Sequence, residues 1–170
     1  MSAVDHLLER SATNPSRFPG LLAAPPSMQV AIITCMDARI DVYRIFGLDP
    51  GQAHVIRNAG GLVTEDVVRT LAISQRKLGT REVLLMQHTK CGLIGFDDAE
   101  FRAELESDTR VRPGWFRPGL TGQVEEDLGQ AVGELRASPF LPHTDRIRGF
   151  VYDVETGEVR EVAVRSDAPA

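Results

Sequence analysis

The sequence predicts an α/β fold: a mainly parallel β-sheet with helices on both faces, an N-terminal helical or extended arm, and a C-terminal antiparallel strand. Three observations carry this prediction. Short apolar runs alternate with stretches of helical periodicity, the pattern of a parallel sheet with crossover helices. The runs themselves, VAII and EVLLM among them, are apolar almost without interruption, as strands covered on both faces are. Near the end, Ile147 to Val154 and Glu158 to Val164 flank Thr156-Gly157, which reads as a β-hairpin or as one strand and a tail.

Along the chain, Ser2 to Asn14 forms a short helix with Val4, Leu7 and Leu8 on one face. Pro15, Pro19, Pro25 and Pro26 make Pro15 to Ser27 an extended arm, because proline interrupts helices and central strands. The expected division is an arm over residues 1–27 and a single catalytic α/β domain over 28–170. Gln29 to Thr34 is a buried strand, and Ile40 to Phe46 a short helix stopped by Gly47. A strand from Ala53 to Arg57 runs into the loop NAGG. Thr64 caps a helix that reaches Leu78, with Glu65 and Asp66 in the first turn where the helix dipole favours them. Glu82 to Gln87 is a third buried strand. Asp97 to Glu106 and Gln123 to Ala137 are two more helices, separated by a loop rich in Pro, Gly and Arg that contains Trp115.

A chain of 170 residues with 42% hydrophobic and 25% charged residues can bury a full core without disulfides. Its net charge of −5 argues against nucleic acid as a partner, since phosphate binding rewards a basic face. No apolar run has the length of a membrane span. The start MSAVDHLLERS does not have the pattern of a secretory signal, so the expected location is the cytoplasm. There, two cysteines are thiols or metal ligands rather than a disulfide.

Both cysteines follow apolar runs, one in TCMDARID and the other in HTKCG. In a parallel sheet, ligands bind outside the carboxyl ends of the strands, and Cys35, Asn58 and His88 each end a predicted strand. His88 and Cys91 lie three residues apart in a loop, and folding brings in Cys35. Two thiolates and one imidazole are a three-ligand zinc set with an open fourth position. Asp37 is the one nearby carboxylate that could close it, and Arg39 can hold that carboxylate away through a bidentate contact. Zinc lets water at the open position act as a hydroxide nucleophile near neutral pH.

CMDAR, then RNAGG, then HTKCG resembles the β-class carbonic anhydrases, in wording and length their compact bacterial branch. The clear motifs run from Val30 to Cys91, and RGFVYDV resembles the family more loosely. The resemblance implies zinc on Cys35, His88 and Cys91, with Asp37 and Arg39 catalytic. It implies reversible hydration of carbon dioxide to bicarbonate by a homodimer or dimer of dimers. Asp37 would orient the zinc-bound hydroxide and Arg39 would keep Asp37 ionised. Asp37 joins the metal set only in a closed, inactive state. Two positions depart from the pattern. Lys90 stands where close relatives often carry Asp, and Asp49 where plant-type relatives place a substrate-holding Gln, so no pocket residue is carried over.

Other functions remain open to the same residues. Some relatives with this motif set hydrolyse carbonyl sulfide or carbon disulfide, and a non-catalytic zinc or thiol module for sensing or assembly is a third possibility. Plainer roles exist too: buried apolar cysteines, an Asp37–Arg39 ion pair at a helix start, a structural His54, and solvated His6 and His143. Trp115 and Phe116 are expected in the core or a dimer contact, and Lys90 at the surface.

Overall fold

The computed structural model describes residues 2–13, 20–115 and 119–164. One five-stranded sheet organises them. The strands are β1 (Val30–Cys35), β2 (Ala53–Asn58), β3 (Glu82–His88), β4 (Ile147–Tyr152) and β5 (Val159–Val162). The helices are α1 (Ala3–Thr13), α2 (Val42–Phe46), α3 (Glu65–Leu78), α4 (Asp98–Thr109) and α5 (Val124–Arg136). The spatial order is β2-β1-β3-β4-β5, with the first four strands parallel and β5 antiparallel to β4.

This order places the site. The chain leaves β1 toward β2 on one side and leaves β3 toward β4 on the other. The loops after β1 and β3 therefore part in opposite directions and leave a crevice between two adjacent strand ends, the usual ligand position in such a sheet. Cys35 is the last residue of β1 and His88 the last of β3.

Two apolar layers hold the sheet. On one face, Ala31, Ile33, Val83, Leu85, Ile147 and Val151 pack against α3 and α5. α5 buries Leu128, Ala131, Val132 and Leu135, a helical stripe, while α3 buries Val67 and Leu71. Gly149 in β4 lies under α5, where a Cβ would stand 3.0 Å from Leu128 and 3.3 Å from Val132, so the helix sits close because that strand position is bare. On the other face, Ile32 and Met86 pack with Ile40, Val42 and the partly buried Ile45 and Phe46 of α2.

The helix ends follow their capping residues. The Thr64 side chain accepts a hydrogen bond from the Val67 amide, and that of Asp97 from Ala99 and Glu100. α2 starts two residues later than its apolar pattern suggests. Asp41 is its N-cap, accepting from the Arg44 amide, and Ile40 instead closes the turn after Asp37 through its amide. β1 begins at Val30 because Gln29 has a positive φ of 53°. The hairpin reading of the C-terminal segment is the one adopted.

α1 buries none of its residues, and its Val4, Leu7 and Leu8 are exposed. Residues 20–27 contain neither helix nor strand, whereas the expected arm's residues 14–19 lie outside the described residues, as does Phe116. Trp115 is exposed with its ring against Phe101. His54 has a structural setting: its Nδ1 lies 2.7 Å from the Ser74 hydroxyl, which is 2.7 Å from that of Thr80. His6 is exposed and His143 half-buried.

Leu71 is fully buried at the centre of the α3 layer. Leu71→Ala is expected to destabilise the fold by about 2–5 kcal/mol, read from chemical denaturation.

Candidate metal centre

The crevice gathers three buried donors. The ligand atoms of Cys35, His88 and Cys91 all lie within 4.8 Å of one another. The two sulfurs are 3.9 Å apart, close to the roughly 3.8 Å that two bonds of about 2.3 Å make at a tetrahedral ion. His88 is 1% exposed. Its Nδ1 lies 2.9 Å from the Thr89 carbonyl, which can only accept, so Nδ1 carries the proton. That leaves Nε2 as a lone-pair donor, and Nε2 is buried with no hydrogen-bond partner. An orphaned imidazole nitrogen beside two thiols fits a thiophilic divalent cation. A backbone carbonyl on the far ring nitrogen is the usual way a ligating histidine is oriented.

The thiols titrate unequally. Burial pushes Cys35 up, but the His88 ring and the backbone amides of Asp37 and Gly60 outweigh it, so Cys35 is lowered. Burial raises Cys91, and the neighbouring Cys35 sulfur adds to that. Without a cation, one sulfur ionises at the expense of the other.

Asp37 stands beside this set. Arg39 grips it twice, Nε to Oδ1 at 2.9 Å and Nη2 to Oδ2 at 2.7 Å, and the Arg39 amide adds a third bond to Oδ1 at 2.9 Å. These bonds hold the Asp37 carboxyl well below the usual carboxylate range. Its Oδ2 is 3.9 Å from His88 Nε2. The carboxylate thus borders the donor set while Arg39 occupies both of its oxygens.

Two further groups shape the loop: Arg57, which was not singled out from sequence, and Asn58, which was expected there as a strand end. Arg57 donates through Nε to the Cys35 carbonyl at 3.0 Å and through Nη2 to the Asp37 carbonyl at 2.7 Å. Asn58 closes the NAGG loop on itself, bonding both the amide and the carbonyl of Leu62 at 2.8 Å. This loop lies against β1. Gly61 has a positive φ of 63°, and a Cβ there would stand 3.0 Å from the Cys35 nitrogen. The available signal was the RNAGG run itself, a cation and an amide at a strand end, one alanine before two glycines.

The fold and donor set define a class: a mainly parallel α/β protein with a buried Cys–His–Cys group able to hold a metal at a sheet switch point and a paired carboxylate beside it. Residues 30–117 match the carbonic anhydrase family. Over 162 residues, the chain is 46% identical to beta-carbonic anhydrase 1 of Mycobacterium tuberculosis, covering 95% of this chain and 99% of that protein. It is 32% identical to the carbon disulfide hydrolase of an Acidianus strain, over 81% of this chain and 78% of that one. The crystal structure of a carbonic anhydrase from Streptococcus mutans superposes with a TM-score of 0.85 at 40% identity, covering 95% of this chain and 98% of that one. The chain belongs to the β-carbonic anhydrase family.

Because Arg39 lowers the Asp37 carboxyl, the ion pair stabilises the folded state above the ordinary carboxylate range near pH 4. That contribution is lost as pH falls through the lowered value. Arg39→Gln is expected to move the Asp37 titration upward toward the ordinary range, followed by carboxyl-carbon NMR. Gly61→Ala is expected to lower both thermal stability and metal content, measured by calorimetry and elemental analysis.

Proposed function

We propose that this protein is a zinc-dependent carbonic anhydrase that interconverts carbon dioxide and bicarbonate. The observation that carries the reading is the pairing of the Cys35–His88–Cys91 donor set with a carboxylate, Asp37, that Arg39 keeps ionised and turned aside. A purely structural metal site has no use for that dyad and would close its fourth position with another thiol or imidazole.

Cys35 Sγ, His88 Nε2 and Cys91 Sγ would hold the zinc. When bound, zinc supplies a Lewis acid that activates water at the position these ligands leave open. Asp37 would accept a hydrogen bond at that position and so orient the solvent toward carbon dioxide. Arg39 keeps Asp37 ionised across the working pH range. Thr89 fixes the His88 tautomer. Arg57 and the NAGG loop hold the backbone of Cys35 and Asp37 against rotation. In a closed, inactive state, Asp37 would leave Arg39 and occupy the fourth position itself.

A second reading keeps the site and changes the substrate, favoured by the 32% identity to a protein named carbon disulfide hydrolase. Residues 1–27 act as an arm and 28–170 as one catalytic domain in this proposal, supported by the absence of buried residues in α1. The working unit is a homodimer or dimer of dimers. The exposed stripe of Val4, Leu7 and Leu8 supports association, and a related pair of β-carbonic anhydrases from Sordaria macrospora is described as tetrameric. A cytoplasmic location suits two unpaired thiols. Among the described residues, no helix is long and apolar enough to cross a membrane.

Stopped-flow hydration of carbon dioxide by zinc-loaded protein, run beside assays on carbonyl sulfide and carbon disulfide, tests the reading. Activity on carbon dioxide is expected. Activity on the sulfur compounds alone would promote the second reading, and inactivity on all three with zinc present would leave a binding module. Two thiolates donate more charge than imidazoles, so turnover is expected to climb with pH from about 6.5 to about 9, and a flat profile would contradict the donor set.

A further inference from the structure

We propose that Lys90 and Glu155 form a latch between the ligand loop and the β4–β5 turn that positions Arg39, and through it Asp37. This inference rests on the carbonic anhydrase reading, but its test separates the two.

Lys90 lies between the ligands His88 and Cys91. It has a positive φ of 52°, a left-handed conformation that disfavours side chains other than glycine. In that conformation its carbonyl accepts from Arg39 Nη2 at 2.9 Å, the same nitrogen that donates to Asp37 Oδ2. Arg39 is half exposed, with a side-chain exposure of 50%, so packing does little to hold it. Its orientation depends on the carboxylate it must position and on this one carbonyl.

The loop that carries the carbonyl is fastened to the β4–β5 turn at three points. The Thr89 amide donates to the Tyr152 carbonyl at 3.0 Å, and the Val154 amide donates to the Thr89 hydroxyl at 3.1 Å. The third tie belongs to residue 90 itself: Lys90 Nζ meets Glu155 Oε1 at 2.6 Å. Glu155 is set in place by its turn, where Asp153 Oδ1 accepts from the amides of Glu155 at 2.7 Å and Thr156 at 3.1 Å. The Thr89 ties fix residue 89 and Cys91 is buried on the other side, so the side-chain pair is the tie at residue 90 itself, whose carbonyl faces Arg39. If that peptide turns, Arg39 loses its acceptor and Asp37 loses its rigid partner.

The plainer alternative is an ordinary surface ion pair with no consequence for the site, since its two side chains are 60% and 63% exposed. A third possibility is a direct field effect on the site. Opposite charges then have opposite consequences, whereas breaking a latch from either end has the same one.

The test uses full-length, zinc-loaded protein. Lys90→Gln and Glu155→Gln are each expected to lower kcat/KM for carbon dioxide hydration about two- to fivefold at low ionic strength, the span of an exposed pair. The double variant should be no worse than the weaker single variant, and Lys90→Glu with Glu155→Lys should restore most of the loss. Arg146→Gln, which breaks an exposed pair with Glu82 at the far end of the sheet, should leave activity unchanged. Independently of turnover, hydrogen exchange at the Arg39 Nε–H, followed by nitrogen-15 NMR, should quicken in both single variants. Effects of opposite sign, multiplying losses in the double variant, or unchanged Arg39 exchange would each overturn the latch. Should the zinc-loaded wild type prove inactive, the catalytic reading fails, and the Arg39 exchange still decides whether the latch exists.

Discussion

Two sulfurs 3.9 Å apart in a buried crevice are the constraint on which the rest of the site depends. Burial opposes ionisation of both thiols; His88 and the backbone amides overcome it at Cys35, whereas the Cys35 sulfur adds to it at Cys91. A divalent cation removes the conflict by neutralising both. The orphaned His88 Nε2 points to the same resolution, since burying an imidazole nitrogen without a partner is costly unless something binds it. Everything around the three donors acts to keep them where a single ion can reach all of them.

That surrounding structure is built mainly from backbone contacts. Arg57 and the NAGG loop clamp the chain after β1, and the Thr89 contacts clamp the chain after β3. Arg39 is the bridge between the two loops, touching Asp37 from one and the Lys90 carbonyl from the other. Cys35 and His88 are thus anchored at strand ends, while the Asp37 carboxylate beside them is held by a half-exposed cation.

Much of this was legible from the chain alone. Apolar runs mark the strands, and Cys35 and His88 stand out because each follows one directly. The strand order was not legible. Only β2-β1-β3 shows that the two loops part at a switch point, because order depends on which sheet edges the crossovers reach. The start of α2 was misplaced because Ile40 continues the apolar pattern while its amide closes a turn on Asp37, and periodicity cannot see a capping bond at Asp41. Arg57 escaped notice because its role lies in reaching two carbonyls across a strand. Lys90 looked like a plain surface lysine, since its partner Glu155 is remote in sequence and becomes a neighbour only when β4 pairs with β3.

The most direct test of the metal centre is X-ray absorption at the zinc edge on the natively purified protein. The account predicts a first shell of two sulfurs at about 2.3 Å and two lighter atoms at about 2.0–2.2 Å. A shell without sulfur, or protein that contains no zinc, would contradict it.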